Sequence, residues 1–363
     1  MRKILIFGAS GSIGQSTVKL IQANRDKFTI VGASAGARFS DLEKAAPALN
    51  IKHILNTKNG ADIGSITTFI QQCQPDIVLN AVSGFEGLPY TLATLQLEIP
   101  LALANKESLV AAGDLVMKLA RERRAPIYPV DSEHSAIWQC LANDDQSLKD
   151  FSKIYLTCSG GPFFGETDLS QVTKAQALKH PNWDMGAAIT IDSATLANKC
   201  LEFFEAMHLF SASPKQIEIV VHPQSVVHSM VQFADSSIVA QLSPPSMELP
   251  IAYALNYPNR ENYKLETPDF TQLDLSFRAP DKNTFKTLAV MEHCAKEMKN
   301  LPTVFNAANE VARNAFIDGD ITFSRIFEII EAVVDKTTIK TDQNLADIYQ
   351  TDKQARVAAQ ALL

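Results

Sequence analysis

Residues 3–21, KILIFGASGSIGQSTVKLI, decide the fold. An apolar strand-like run, KILIF, breaks at Gly8 and passes through Gly11 and Gly14 into a helical pattern. That arrangement offers backbone N–H groups and a helix N-terminus to a pyrophosphate. Three spaced glycines alone would equally describe a tight turn. With a strand before them and a helix after, at the very start of the chain, they read as a nucleotide-binding loop.

Working outward, TIVGASA (29–35), DIVLNAV (76–82), LALA (101–104) and PIYPV (126–130) are further strand-like runs, with amphipathic stretches between them. Strands alternating with helices predict a parallel sheet covered by helices, a Rossmann-like domain over residues 1–130. From about residue 151 strand-like runs return at KIYLTCS (153–159), AITIDS (188–193), IEIVVH (217–222), SVVHSMVQF (225–233) and SIVAQL (237–242), with one clear helix between the second and third. They predict a second α/β domain with an open sheet over residues 131–256. The Pro-, Asn- and Asp-rich segment 257–282 reads as a linker arm. FKTLAVMEHCAKEM, NAANEVARNAFIDG, FSRIFEIIEAVVDK and DKQARVAAQALL carry the helical period and predict a closing helical bundle over 283–363. No internal repeat or low-complexity segment interrupts the pattern.

Composition narrows the function classes. The 363 residues are 46% hydrophobic, enough to fill two or three cores, and carry a net charge of −7, which leaves no large basic surface for nucleic acid. Cys73, Cys140, Cys158, Cys200 and Cys294 are odd in number and widely spaced, fitting neither a disulfide framework nor a zinc knuckle. No apolar run reaches the roughly 18 to 20 residues of a membrane span, and MRKILIFG runs into the glycine loop rather than into a cleavage site. A soluble cytoplasmic protein with no membrane partner is the expectation.

Cofactor choice is read after the second strand, where NAD enzymes carry an acidic residue for the ribose 2′-hydroxyl. Here GASAGARFS (32–40) places Ser34, Arg38 and Ser40 in that region. An arginine beside small polar residues suits a 2′-phosphate, so NADP(H) is favoured; the competing reading of Arg38 is a solvated loop residue.

Two groups suggest chemistry. In PVDSEHSAIW (129–138), Asp131 and Glu133 follow a strand-like run, where residues two apart project to one side. Carboxylates held that close repel unless they share a proton or a cation, and oxygen-only ligands suit Mg²⁺ or Mn²⁺. In ITIDSATLANKCLEFFEAMHLF (189–210) a strand is expected to end near Asp192, with Ser193 capping a helix. Asn198, Lys199 and Glu202 then share roughly a 100° arc of that helix. A surface ion pair of Lys199 with Glu202 is the plainer alternative.

The chain resembles the 1-deoxy-D-xylulose 5-phosphate reductoisomerases over essentially its whole length. The blocks that carry the resemblance are GASGSIG, LANKESLV, PVDSEHSAIWQ, SGGPF, HPNWDMG, ITIDSATLANKCLE, HPQSVVHSMV and NAANEVA, in family order and with near-family spacing. The resemblance implies NADPH-dependent isomerisation and reduction of 1-deoxy-D-xylulose 5-phosphate to 2-C-methyl-D-erythritol 4-phosphate, in non-mevalonate isoprenoid precursor synthesis, by a homodimer. It implies a divalent metal, Mg²⁺ or Mn²⁺, on Asp131, Glu133 and Glu202, stabilising the enolate of a retro-aldol step as a Lewis acid.

Other roles carry over on matching positions. Lys106 lies near the substrate oxygens, and Ser132 contacts a substrate hydroxyl. Ser159, Ser193, Asn198 and Lys199 surround the phosphate, with His180 nearby. Trp183 and Met185 lie on a flap that excludes water, and His228 lines the site. Gly8, Ser10, Gly11, Ser12, Ile13, Gly36, Arg38, Asn105 and Glu107 fall in the cofactor-binding segments, with Met247 near the nicotinamide. His222 and His134 are taken as structural.

The chain departs from the family at four places: Ala37-Arg38 where Lys-Asn is common, Cys158 before SGGPF where a smaller residue is usual, Ala9-Ser10 where Ser-Thr is frequent, and a trimmed segment around LNTKNGADIGS (55–65). Rival readings are a metal-dependent phosphohydrolase, a dehydrogenase with Cys158 as nucleophile, and a non-catalytic binding protein.

Overall fold

The computed structural model describes residues 1–141, 151–183, 185–341 and 344–363. They form two compact units: one of residues 1–108, 114–135 and 246–267, the other of residues 109–113, 136–245 and 268–363.

The first unit holds strands β1 (Arg2–Phe7), β2 (Phe28–Ala35), β3 (His53–Asn56), β4 (Ile77–Asn80), β5 (Leu101–Leu103) and β6 (Ile127–Pro129). They pair in parallel in the order β3-β2-β1-β4-β5-β6. Helices α1 (Ser12–Ala23), α2 (Phe39–Leu49), α3 (Ile63–Cys73), α4 (Leu88–Gln96) and α5 (Glu107–Arg123) alternate with them. This is the doubly wound order expected, with its switch point between β1 and β4, at the carboxyl end of β1. Ile4, Leu5, Ile6 and Phe7 are wholly buried, as a central strand covered on both faces must be. Strand β3, HILN, is an addition to the sequence reading; none of its four side chains is fully buried, so its pattern is weak.

Helix α6 (Ser132–Cys140) follows β6 directly. The second unit contains β7 (Phe151–Cys158), a short helix α7 (Lys174–Ala177), α8 (Ala187–Ala194), α9 (Ala197–Leu209), β8 (Ile217–Val221), β9 (Val227–Phe233) and β10 (Ile238–Leu242). Its sheet runs β10-β9-β7-β8, with β7 and β8 parallel and the other pairs antiparallel.

One expected strand is corrected. AITIDS is helix α8, despite three consecutive β-branched residues. Thr190, Ile191, Asp192 and Ala194 are its buried positions, and tertiary burial overrides β-propensity.

Helix α10 (Glu248–Asn256) belongs to the first unit. Its Ile251, Ala252, Ala254 and Leu255 join Ile4, Ile6, Ile77 and Leu79 in one apolar core, and Arg2 Nη1 donates to the Leu255 carbonyl at 2.8 Å. The chain closes with α11 (Thr287–Glu297), α12 (Leu301–Asp318), α13 (Phe323–Lys336) and α14 (Leu345–Gln360), the expected helical region. Aromatic contacts tie it to the preceding part of the second unit, Phe204 meeting Phe305 at 6.1 Å and Phe163 meeting Phe323 at 5.3 Å between ring centroids, while Phe316 and Phe323 meet at 5.4 Å within it. Burial of each such ring contributes roughly 1.5–3 kcal/mol. Among the described residues no helix is long and apolar enough to cross a membrane.

Candidate active site

The glycine loop is built by two close approaches. Gly8 has φ +80°, and a Cβ there would lie 2.5 Å from the Ala81 carbonyl oxygen. At Gly14 a Cβ would lie 2.3 Å from the Gly8 carbonyl oxygen, so only glycine lets α1 settle onto the turn. Gly11 precedes α1, which has no side-chain cap, so the helix presents the amides of Ser12 and Ile13 uncapped, a fit for an anionic group.

Ser34 lies at the carboxyl end of β2, against the glycine loop. It is wholly buried, and its hydroxyl accepts from Gly8 N at 3.2 Å while its carbonyl accepts from Ala9 N at 2.8 Å. Arg38 is exposed at the start of α2 and donates through Nη2 to the Ser10 carbonyl. It thereby reaches across the loop, with Gly36 half-buried just before it and Ser40 exposed just after.

Asn105 and Glu107, in the turn from β5 into α5, hold a neighbouring loop. Asn105 Nδ2 lies 2.8 Å from the carbonyls of Val82 and Gly84, and Glu107 accepts from Gly84 N at 3.0 Å. Met247, just before α10, packs against the first unit's core.

Lys106 Nζ lies 2.5 Å from Asp131 Oδ2, an ion pair whose side chains are only 8% and 12% exposed. The strand geometry expected for Asp131 and Glu133 is corrected: β6 ends at Pro129 and Ser132 opens α6. Ser135 N donates to the Asp131 carbonyl at 2.8 Å, so Asp131 stands just before the helix and Glu133 in its first turn. Carboxylates are favoured there by the helix dipole, and oxygen-only donors suit Mg²⁺ or Mn²⁺. Ser132 Oγ donates to Glu133 at 2.5 Å, while fully buried His134 has Nδ1 4.0 Å from Asp131. The Ser132 hydroxyl is thereby engaged by the neighbouring carboxylate.

In the second unit, the residue capping α9 is Leu196, with φ +59°, and not Ser193, which sits inside α8. Asn198 Nδ2 donates to Glu202 Oε1 at 2.5 Å, and Lys199 Nζ pairs with Glu202 Oε2. Lys199 and Glu202 are 3% and 1% exposed, so the pair predicted at a helix surface is interior. Burying such charges is costly unless they are paired and hydrogen-bonded.

The turn after β7 brings the other phosphate candidates together. Ser159 Oγ accepts from Gly161 N at 3.1 Å and lies 3.0 Å from His180 Nε2. His180 Nδ1 accepts from the amides of Asn182 (3.2 Å) and Trp183 (3.0 Å), so Nε2 carries the proton and donates to Ser159. Burial pushes the His180 pKa down to about 4. Gly161 has φ +69°, and a Cβ there would lie 2.7 Å from the Ser193 carbonyl oxygen, which seats the turn on α8.

Trp183 packs edge-on against His228 at 6.0 Å, and His228 Nε2 donates to the Ser243 carbonyl at 3.1 Å. Burial lowers the His228 pKa to about 4. Met185 is half-buried; Asp184, inside the block HPNWDMG, lies outside the described residues. His222 accepts from Val226 N at 3.2 Å, donates to the Ser276 carbonyl at 2.9 Å and stacks on Phe277, a structural role. Cys158 is buried at the end of β7, as are the other four free cysteines, which leaves the thiol-nucleophile reading without an accessible thiol.

A group without an assigned role stands next to Ser193 in α8. Asp192 of α8, buried, accepts from Asn309 Nδ2 at 2.9 Å and from Arg313 Nη1 at 2.6 Å, both on α12. Its signal was the block NAANEVA.

Family models described as 1-deoxy-D-xylulose 5-phosphate reductoisomerase match residues 4–63 and 49–113, and models of that enzyme's C-terminal domains match 127–210 and 242–358. The 1-deoxy-D-xylulose 5-phosphate reductoisomerase of Phocaeicola vulgatus is 41% identical over 382 residues, covering 100% of this chain and 99% of that protein. That of Pelotomaculum thermopropionicum is 41% identical over 377 residues, covering 98% and 97%. A crystal structure of DOX-P reductoisomerase with NADPH, fosmidomycin and magnesium has a TM-score of 0.94 at 35% identity, covering 100% of this chain and 98% of that one. The Zymomonas mobilis enzyme in complex with NADPH has a TM-score of 0.88 at 36% identity, covering 99% of both.

Proposed function

The chain belongs to the 1-deoxy-D-xylulose 5-phosphate reductoisomerase family, and on that premise we propose how its residues share the work. It is an NADP-dependent oxidoreductase that isomerises 1-deoxy-D-xylulose 5-phosphate and reduces the product with NADPH to 2-C-methyl-D-erythritol 4-phosphate, in isoprenoid precursor synthesis.

Asp131, Glu133 and Glu202 hold the divalent cation, Mg²⁺ or Mn²⁺; a carboxylate-only donor set and the family match support this. The glycine loop, Gly8 to Ile13, takes the NADPH pyrophosphate on uncapped helix amides, and Arg38 takes the 2′-phosphate. Gly36, Asn105, Glu107 and Met247 complete the cofactor segments. When bound, the cation supplies Lewis acidity at the substrate's ketone and adjacent hydroxyl, and NADPH supplies the hydride.

The chain's own groups do the rest. The Lys106 ammonium offsets negative charge developing on a substrate oxygen, and Ser132 contacts a substrate hydroxyl. Ser159, Ser193, Asn198 and Lys199 bind the phosphate. His180, neutral, orients Ser159. Trp183 and Met185 exclude water, and His228 holds Trp183 in place.

Residues 1–130 are proposed as the NADPH-binding part, 131–256 as the catalytic and dimerisation part, 257–282 as the arm and 283–363 as the helical part. A cytoplasmic homodimer is the proposed working form. Family resemblance supports it, and so do Ile238 and Val239, 52% and 43% exposed on edge strand β10.

The observation that carries this reading is the buried Asn198-Lys199-Glu202 cluster, polar chemistry where a structural helix face would be apolar. The test is loss of NADPH absorbance, expected to require both the ketose phosphate and Mg²⁺ or Mn²⁺. Glu202→Gln should cut turnover by about a hundredfold or more while leaving NADPH binding intact. No absorbance change with metal-loaded protein overturns the reading.

A further inference from the structure

We propose that Asn309 and Arg313 are positioning residues for the substrate phosphate, acting through Asp192; this rests on the assignment of Ser159, His180 and Ser193 to that phosphate. The two donors lie one turn apart on one face of α12 and hold the two oxygens of a single carboxylate, at 2.9 and 2.6 Å. A carboxylate only accepts, so the Asn309 amide has one workable orientation.

Asp192 immediately precedes Ser193 in α8. The Ser193 carbonyl is the surface on which Gly161 rests, and Gly161 N holds Ser159 Oγ, itself 3.0 Å from His180. Contact therefore runs unbroken from α12 through Asp192 to the phosphate-facing hydroxyls. From the other side, Thr287 Oγ1 of α11 donates to the Thr195 carbonyl at 2.6 Å, pinning the link between α8 and α9. A helix of eight residues does not hold its own place; its tertiary contacts set its position. A shift of α8 moves Ser193 and Ser159 together.

Helix α12 supplies its own control. Asn306 donates to Glu310 at 3.0 Å, Glu310 pairs with Arg356 at 2.8 Å, and Arg356 reaches Asp352 at 2.8 Å. This network is of the same kind but reaches α14 instead of α8.

The test compares the parent with Asn309→Ala, Arg313→Lys and Arg356→Met, each as the NADPH- and metal-loaded enzyme. KM is measured for the ketose phosphate and for NADPH, and binding of inorganic phosphate by titration calorimetry. Asn309→Ala and Arg313→Lys should raise KM for the ketose phosphate roughly tenfold and weaken inorganic phosphate by a similar factor, with KM for NADPH unchanged. Arg356→Met should lower Tm and leave all three values as in the parent. In a Ser193→Ala background the effect of Asn309→Ala should shrink but not vanish, because one of the two hydroxyls being positioned is gone while Ser159 remains. Parent-like phosphate affinity in Asn309→Ala, or an equal loss in Arg356→Met, overturns the proposal. If Arg313→Lys does not fold, Asn309→Ala, which deletes a neutral group, decides alone. An inactive parent would overturn the functional reading instead, and the inorganic phosphate titration would still judge the positioning.

Discussion

Lys106 Nζ stands 2.5 Å from Asp131 Oδ2, so one proposed metal-binding carboxylate already faces a cation that the chain itself supplies. Replacing Lys106 with Met removes that ammonium from a site where both side chains are nearly buried. Loss of one member of such a pair costs about 3 kcal/mol of stability, and loss of a transition-state cation costs roughly a thousandfold in turnover. Mg²⁺ should then raise Tm more in Lys106→Met than in the parent, since the divalent ion takes over the missing compensation. Equal metal-dependent Tm shifts in the two proteins would count against a cation site at Asp131.

The fit of α1 to the nucleotide loop is equally open to test. A Cβ on residue 14 would lie 2.3 Å from the Gly8 carbonyl oxygen and 2.6 Å from Ala9 Cα, both backbone atoms that cannot swing aside. Gly14→Ala should therefore cost about 1–3 kcal/mol by overpacking. It should also raise KM for NADPH at least about tenfold, because the helix must back away from the loop. Differential scanning calorimetry and steady-state kinetics check both, and a variant with parental Tm and NADPH affinity would break the argument.

What was legible in the sequence was local. The strand, turn and helix around Gly8 and Gly14 are dictated by residues within a dozen positions of one another. AITIDS was misread because its β-branched run favours a strand, while the partners that bury Asp192 lie 117 and 121 residues downstream. Lys199 and Glu202 could be paired by helical spacing, but their removal from solvent is a tertiary fact that spacing does not carry. The contact of Ser34 with the glycine loop was not legible either, since alternation along β2 does not say which hydroxyl a glycine amide will claim. Strand β3 is not legible because three half-buried residues and an exposed Asn56 leave too short a pattern.

Burial holds His180 and His228 near a pKa of about 4, so both are neutral in the folded protein at pH 7. Their unfolded pKa is near 6.5, so between about 6.5 and 4 the unfolded chain binds the extra protons. Stability is therefore full above about pH 6.5 and lost as the pH falls towards 4. For deeply buried His228 the loss reaches roughly 3 kcal/mol. Urea unfolding across that window should show a falling midpoint. His228→Gln, which keeps a donor for the Ser243 carbonyl, should flatten the slope, and an unchanged slope would show that the buried imidazole is not its source.

Cofactor choice gives the last test. Arg38 is exposed at the start of α2, in the loop after β2 where NAD enzymes place a carboxylate, and its guanidinium already reaches the Ser10 carbonyl across the glycine loop. An exposed guanidinium paired with a 2′-phosphate is screened by salt, so the preference for NADPH over NADH should narrow as ionic strength rises. Arg38→Asp should lower kcat/KM for NADPH about a hundredfold and raise it for NADH, because a carboxylate repels the phosphate and accepts from the free hydroxyl. Arg38→Lys should keep the sign of the preference but lose much of its size, since an ammonium cannot make the two-pronged contact. Undiminished NADPH preference in Arg38→Asp would mean that the 2′-phosphate is read by other residues, and that Arg38 serves only to brace the loop through Ser10.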